Sequence, residues 1–325
     1  MRLEGQQVAA GLLIDDLVAL GPSTRAVNRK LRGFERAEVV LVKKSKVKPA
    51  VPGSSVRLWG VQLDELGHFR PEAGRLGSLL RFTRAVLKLK IVRTKLLQRL
   101  VGKWLWLVLL FRPLLSVMRP LFALAKLRHT RVYLGAGARQ SFAQLIALSP
   151  LLCVDPSRPA GAVFASDAST TGGGVSLAHP SNESRDALFW QLAKFCWYKG
   201  RTDLSSEQYS EDLAKILDAL DFGEGFGWAW RDEEFIMISE ARAFLTGAQR
   251  VISGRNGFAA RHLGICDNQP LVFALRKGTS GQPAVNRVLQ RLAALQLAAN
   301  STVDTVWCRT SVMPADAASR RYRRY

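Results

Sequence analysis

The second half of the chain constrains the fold most, because its hydrophobic period switches repeatedly between two residues and 3.6. AVFASDAS is a short apolar run ending in an acid, and VSLA follows a Gly172-Gly173-Gly174 turn, which together make a hairpin pattern. EEFIMIS reads as a third strand. Ser239 then stands where a helix N-cap belongs, and Ala241, Phe244, Leu245, Ala248 and Val251 form a helical stripe. HLGICD reads as a fourth strand. AVNRVLQRLAALQLAAN is an amphipathic helix with Pro283 at its start and Val285, Val288, Leu289, Leu292 and Leu295 on one face. TVDTVWC is a fifth strand. Strands first, then alternating helix and strand, predict an α/β (α+β) domain over residues 158–325, with flanking helices around a mixed five-stranded sheet. Residues 179–232, with the aromatic run LFWQLAKFCWYKG, interrupt this scheme and match none of its elements.

Four acids in this region fall at element ends. Asp167 closes the first strand, Glu240 opens the first long helix, Asp267 closes the fourth strand, and Asp316 follows the fifth in MPADAASR. Alone, each is explained by a capped turn or by the helix dipole. Together they point elsewhere, because the ends of adjacent central strands converge on one crevice. Clustered carboxylates repel unless a cation neutralises them, and hard oxygen ligands suit Mg²⁺. Two such ions can clamp the attacking and leaving oxygens of a phosphodiester. Asp167, Glu240, Asp267 and Asp316 are therefore the expected catalytic and metal-binding residues, with two Mg²⁺ ions, replaceable by Mn²⁺, as cofactor.

The charge balance points to a partner. Net charge is +21, and residues 1–150 hold 27 Lys and Arg against 8 Asp and Glu. Between Ala73 and Val154 there is no acid, while 15 basic residues run from Arg75 to Arg139. A stretch of this kind repels itself unless a polyanion relieves it, and nucleic acid is the expected polyanion. Lys88, Lys90, Arg93, Lys95, Arg99 and Lys103 alternate with apolar residues and are the candidate nucleic-acid-binding set. A membrane is not the expected partner: WLWLVLLF at 104–111 is closed by Lys103 and Arg112, far short of the roughly 20 apolar residues of a spanning helix. The N-terminal MRLEGQQVAAG lacks a signal-peptide layout, so an intracellular rather than secreted protein is expected. The four cysteines form no CxxC pair and read as buried thiols.

Residues 71–150 read as helical, with Leu76, Leu79, Leu80, Thr83, Val86 and Leu87 at helical spacing. The proline-rich PLLCVDPSRP at 150–159 is the expected linker. In residues 1–70, GLLIDDLVALG reads as two strands flanking an acidic turn. EVVLV at 38–42 is a further strand, and so is VRLWGVQLD at 56–64.

At this point the residues resemble a known family. FASDASTTGGGVSLA, ISEARAFLTGAQ, CDNQPLVFALRKG and VWCRTSVMPADAASR resemble, in order, the four acid-bearing segments of ribonuclease H domains in retroelement reverse transcriptases of the retrotransposon type. The resemblance implies a ribonuclease H-like fold and a two-metal endonuclease that cuts RNA in an RNA–DNA hybrid. LIDDLVALG resembles the polymerase hairpin with paired metal-binding aspartates, placing Asp15 and Asp16 at those positions and Leu13 where a Tyr is usual. VRLWGVQLD resembles the primer-gripping segment that follows. The basic helical region is similar to the thumb and connection, with LVGKWLWLVLLFRPLLSVMRPLF matching its helix followed by Arg-Pro.

The resemblance thus divides the chain into a truncated palm remnant at 1–70, a thumb/connection at 71–150 and a ribonuclease H-like domain at 158–325. Only 14 residues precede Asp15, so polymerase activity is not expected of this chain, and the missing part of a larger polyprotein is an expected partner. Many ribonuclease H domains carry a His before the last Asp, where this chain has Arg309, Thr310 and Ser311. The competing expectation is a nucleic-acid-binding remnant of a reverse transcriptase that has lost catalysis.

Overall fold

A computed structural model describes residues 9–13, 16–20, 56–58, 61–64, 67–178, 185–196 and 206–321. The chain divides into two compact units, Met1–Glu72 with Val154–Ser157, and Ala73–Cys153 with Arg158–Tyr325.

In the first unit, β1 (Ala9–Leu13) and β2 (Asp16–Leu20) pair antiparallel, with Leu13 opposite Asp16, as the hairpin reading expects. EVVLV at 38–42 lies outside the described residues. VRLWGVQLD is not one strand but two, β3 (Val56–Leu58) and β4 (Val61–Leu63), which pair with each other. Gly60, near the middle of the run, is the breaker that the one-strand reading passed over. β5 (Phe69–Pro71) adds the third strand. The proline-rich segment is more than a linker, because Val154 returns to this sheet and exchanges two backbone hydrogen bonds with Phe69, of 2.8 and 2.9 Å.

The second unit opens with a helical layer: α1 (Ala73–Leu87), α2 (Thr94–Val108), α3 (Leu115–Ala125) and α4 (Ala136–Leu148). Leu79, Thr83 and Val86 are the buried stripe of α1. Trp104 of α2 is fully buried, which obliges its indole N–H to find an acceptor. It donates to Thr83 Oγ1 at 2.9 Å, and that hydroxyl donates in turn to Leu79 O at 2.7 Å. The helical reading of this region missed two short strands, β6 (Ile91–Arg93) and β7 (Arg131–Tyr133), which pair antiparallel. Three residues are too few for a period to register.

By length and composition, Thr94–Ala125 is long and apolar enough to cross a membrane. Here it is broken by a 3₁₀ segment, Leu109–Leu114, with Phe111 at φ −136°, ψ 83°. Leu97, Leu100, Trp104, Met118 and Leu121 from its two halves pack into one core with Phe142 of α4.

The rest of the unit is a five-stranded mixed sheet. Its strands are β8 (Ala160–Ala168), β9 (Gly172–Ala178), β10 (Phe226–Ala229), β11 (Arg261–Cys266) and β12 (Thr302–Trp307), in the order β10-β9-β8-β11-β12. β8, β11 and β12 run parallel, β9 is antiparallel to β8, and β10 is antiparallel to β9. Side chains of β8 alternate as a strand buried on both faces must. Val163 and Ala165 join Phe189 of α5 (Arg185–Lys194) and Tyr209 of α6 (Ser206–Ala219) on one face. Phe164 joins the other face with α7 (Ile236–Ile252), α8 (Gln269–Lys277) and α9 (Pro283–Ala298).

Three local expectations are corrected. EEFIMIS is not the third strand. Met237 and Ile238 instead share a helical stripe with Ala241, Phe244 and Ala248, so α7 starts at Ile236 with Phe235 at its N-cap. Ser239 therefore lies inside the helix and caps nothing. The third strand is β10, within the segment that matched no predicted element. Gly172-Gly173-Gly174 is strand rather than turn, paired to β8 on one side and β10 on the other, and glycine stands there because side chains would collide with neighbours. A Cβ on Gly173 would sit 2.5 Å from the Trp228 ring, and one on Gly174 would sit 2.4 Å from Ser319 N. Finally, α9 is buried on a second face too. Its Ala293 and Leu297 belong to the core of the helical layer, and Asn286 Nδ2 donates to Ser116 O at 2.7 Å.

Candidate active site

The four acids arrive from four separate elements. Asp167 is the penultimate residue of β8, paired across to Gly174 of β9. Asp267 directly follows the last residue of the neighbouring parallel strand β11, so both stand at carboxyl ends of adjacent strands. Glu240 is the fifth residue of α7, beyond the first turn where the helix dipole would favour it. Asp316 begins the short helix α10 (Asp316–Ser319), which packs against β8, β9 and β10.

Their charges act on one another. The Asp167 carboxyl is pushed above its usual range, first by burial, against a lowering hydrogen bond from Ser319, and further by Asp267 and Asp316. Glu240 is pushed up to about 9, first by burial and then by Asp167 and Asp267. Its Oε2 is buried with no hydrogen-bond partner among the described residues. Ligand atoms of Glu240, Cys266 and Asp267 lie within 4.8 Å of one another. Burial drives the Cys266 thiol well above its ordinary range, and a hard divalent cation prefers the carboxylate oxygens to its sulfur.

Neighbouring side chains hold these acids in place. The Ser319 hydroxyl, fully buried, contacts Asp167 Oδ2 and lies 2.9 Å from the carbonyl of Asp316. Thr310 Oγ1 donates to Asp267 Oδ2 at 2.7 Å, and Trp307 Nε1 donates to the Asp267 carbonyl at 2.8 Å. Arg320 holds Asp316 Oδ1 through Nε at 2.8 Å and a terminal nitrogen at 2.7 Å. Reasoning on acids alone missed Ser319, although ADxxSR contains it. A small hydroxyl three residues after an acid on a helix is also a common local hydrogen-bonding pattern.

The histidine nearest in sequence, His262, is structural. Its Nδ1 accepts from Ala162 N at 3.1 Å, and its Nε2 lies 3.0 Å from Gly257 O. The candidate basic residues Lys88, Lys90, Arg93, Lys95, Arg99 and Lys103 are all exposed. Not every cation of the acid-free stretch is available to a partner: Arg139 donates to the carbonyls of Leu134, Leu87 and Leu89 at 2.6–2.9 Å. Asp15 lies outside the described residues, and Asp16 is described only as the first residue of β2.

A mixed sheet with this strand order and an antiparallel second strand, flanked by helices on both faces, defines the fold as ribonuclease H-like. No family model matches the chain. No curated protein matches it either. Among solved structures it is similar to a foamy viral protease-reverse transcriptase in complex with an RNA/DNA hybrid, with TM-score 0.33 and 8% identity over 92% of this chain and 56% of that one. It is also similar to the foamy viral protease-reverse transcriptase dRH in complex with double-stranded DNA, with TM-score 0.34 and 9% identity over 91% of this chain and 45% of that one. The chain thus spans about half the length of these structures.

Proposed function

We propose that this protein is a ribonuclease H-type hydrolase of retroelement origin that cleaves the RNA strand of RNA–DNA hybrids. One observation carries the reading: a buried carboxylate, Glu240, unpartnered at Oε2, stands among acids brought together from opposite ends of the sheet region. Burying repelling carboxylates costs stability without serving the fold, which is the mark of a site kept for chemistry. The donor set fits hard divalent cations. Asp167, Glu240, Asp267 and Asp316 would hold two Mg²⁺ ions, or Mn²⁺ in their place. When bound, such ions supply an activated water and stabilise charge building on the phosphate.

The chain's own groups set the rest. Glu240, raised to about 9, holds a proton at neutral pH until a cation takes its place. Ser319 orients Asp167, and Thr310 orients Asp267. The helical layer, as thumb/connection, presents Lys88, Lys90, Arg93, Lys95, Arg99 and Lys103 to phosphates, which positions the duplex without reading its bases.

A second reading, a nucleic-acid-binding remnant without catalysis, draws on the Arg320–Asp316 ion pair, which already spends one ligand on a protein cation. Cleavage of a labelled hybrid in Mg²⁺, with EDTA and Asp167→Asn as controls, separates the two. Mg²⁺-dependent cleavage that Asp167→Asn abolishes is expected. Tight binding without cleavage in either metal would leave the remnant.

A further inference from the structure

The ribbon β6–β7 carries an arrangement that costs energy in the free protein. Its register sets Arg93 directly opposite Arg131 and Ile91 directly opposite Tyr133. Between them Val92 and Val132 point inward and are buried, so alternation sends the other four side chains to the solvent face. Like charges directly opposite on one face destabilise a pair of strands. No acid between Ala73 and Val154 relieves them.

The same two arginines line a cavity of about 570 Å³, together with Lys95, Arg128, His129 and Leu127. Its rims are tied to each other. Thr94 N donates to Thr130 O at 3.0 Å, the Thr94 hydroxyl contacts His129 O, and Gln98 Nε2 donates to Ala125 O at 2.9 Å. The N-terminus of α2 opens at the same place, with no side chain capping it.

Resting on the nucleic-acid reading above, we propose that this cavity holds a backbone phosphate between Arg93 and Arg131, with Lys95 and Arg128 at its walls. Two residues along the ribbon, about 7 Å away, Tyr133 is 66% exposed beside Ile91 at 58%. An exposed ring next to a phosphate site is a stacking platform for a base, and a base inside a duplex has no free face to offer. The site therefore takes the first unpaired nucleotide of a strand leaving the duplex. An anionic membrane is the weaker fit: the cations converge on a concave cavity, whereas a bilayer presents a flat surface.

The test uses the full chain and two fluorescein-labelled RNA–DNA hybrids, one blunt and one with a five-nucleotide overhang, titrated across salt. Wild type should prefer the overhang. Arg93→Ala with Arg131→Ala should lose that preference and flatten the salt dependence by about two units if both touch phosphates, while its melting temperature stays level or rises. Tyr133→Ala should lose the preference by at least about fivefold with the salt slope kept. If wild type binds neither hybrid with a salt dependence, the nucleic-acid reading itself falls. If wild type binds but the double variant keeps both slope and preference, only the pocket assignment falls. It also falls if the double variant loses binding to phosphatidylserine vesicles while binding both hybrids as wild type does.

Discussion

Glu240 bears most of the electrostatic cost of the site, and its titration makes that cost measurable. Its carboxyl is raised to about 9 from an ordinary 4.5. Between those values the folded state keeps a proton that the unfolded chain has released. Stability of the metal-free protein is then fully present below about pH 4.5 and declines as pH rises towards 9. Asp167, raised in the same direction, adds to the decline. Melting temperature measured against pH in EDTA should fall across this range for wild type, and distinctly less for Glu240→Gln. An equal fall in both would show that Glu240 is not the group responsible. Ser319 acts on the site differently, by contact with Asp167 rather than by charge. Ser319→Ala should lower cleavage or metal affinity about 10–100-fold, as loss of a ligand's supporting hydrogen bond does, with a KM for the hybrid near wild type. A changed KM with unchanged turnover would assign Ser319 to substrate binding instead.

Elements position the site through close backbone approach. Strand β9 comes so near α10 that a Cβ on Gly174 would lie 2.4 Å from Ser319 N and 2.9 Å from Ala315 O. Both are backbone atoms of the segment that carries Asp316, so a side chain at Gly174 cannot be absorbed by a rotamer change. Gly174→Ala should displace α10, destabilise the fold by about 1–3 kcal/mol, and lower cleavage by more than the stability loss explains. Urea denaturation and cleavage rates at a temperature well below melting check the two effects separately. Retained activity would mean that α10 moves with β9 and that Asp316 keeps its place. The opposite face of the sheet is tight for a different reason: Gly247 and Gly264 leave room for the rings of Phe164 and Phe244, 5.1 Å apart.

At the scale of the molecule, α9 joins the helical layer to the ribonuclease H-like sheet. Val285, Val288, Leu289 and Leu292 face the sheet, while Ala293 and Leu297 face the helices. Asn286 bonds to both sides, donating to Ser116 O and accepting from Ser280 N at 3.1 Å. The backbone of α8's C-terminal Gly278, at φ +76°, lies against Arg112 O so closely that a Cβ would come within 2.2 Å. Helical layer and sheet should therefore unfold together. Calorimetry is expected to show one transition for this unit, and Asn286→Ala should shift it as a whole by about 1–3 kcal/mol. Two separated transitions, with only one of them moved by Asn286→Ala, would show the layers to be independent.

Much of this was legible in the chain because period and chemistry coincide there. The strands β8, β11 and β12 run for six to nine residues, long enough to declare themselves, and α9 repeats its apolar positions over four turns. Asp167, Asp267 and Asp316 stood out because each falls at or beside an element boundary, whereas Glu240 lies a turn inside α7 and marks the helix start only if EEFIMIS is a strand. The acid-free stretch is a matter of composition, so the expectation of a polyanion partner needed no structure. Other features depended on packing. EEFIMIS and the FGWA of β10 compete for the third strand, and FGWA takes it because Trp228 fits over the side-chain-free surface of Gly173. The ribbon of β6 and β7 joins residues about forty apart in sequence, three from each, so neither strand has a pattern of its own. The role of Ser319 and the isolation of Glu240 likewise arise only once distant segments meet. Burial and contact are properties of neighbours in space, and local periodicity carries no record of which neighbours those are.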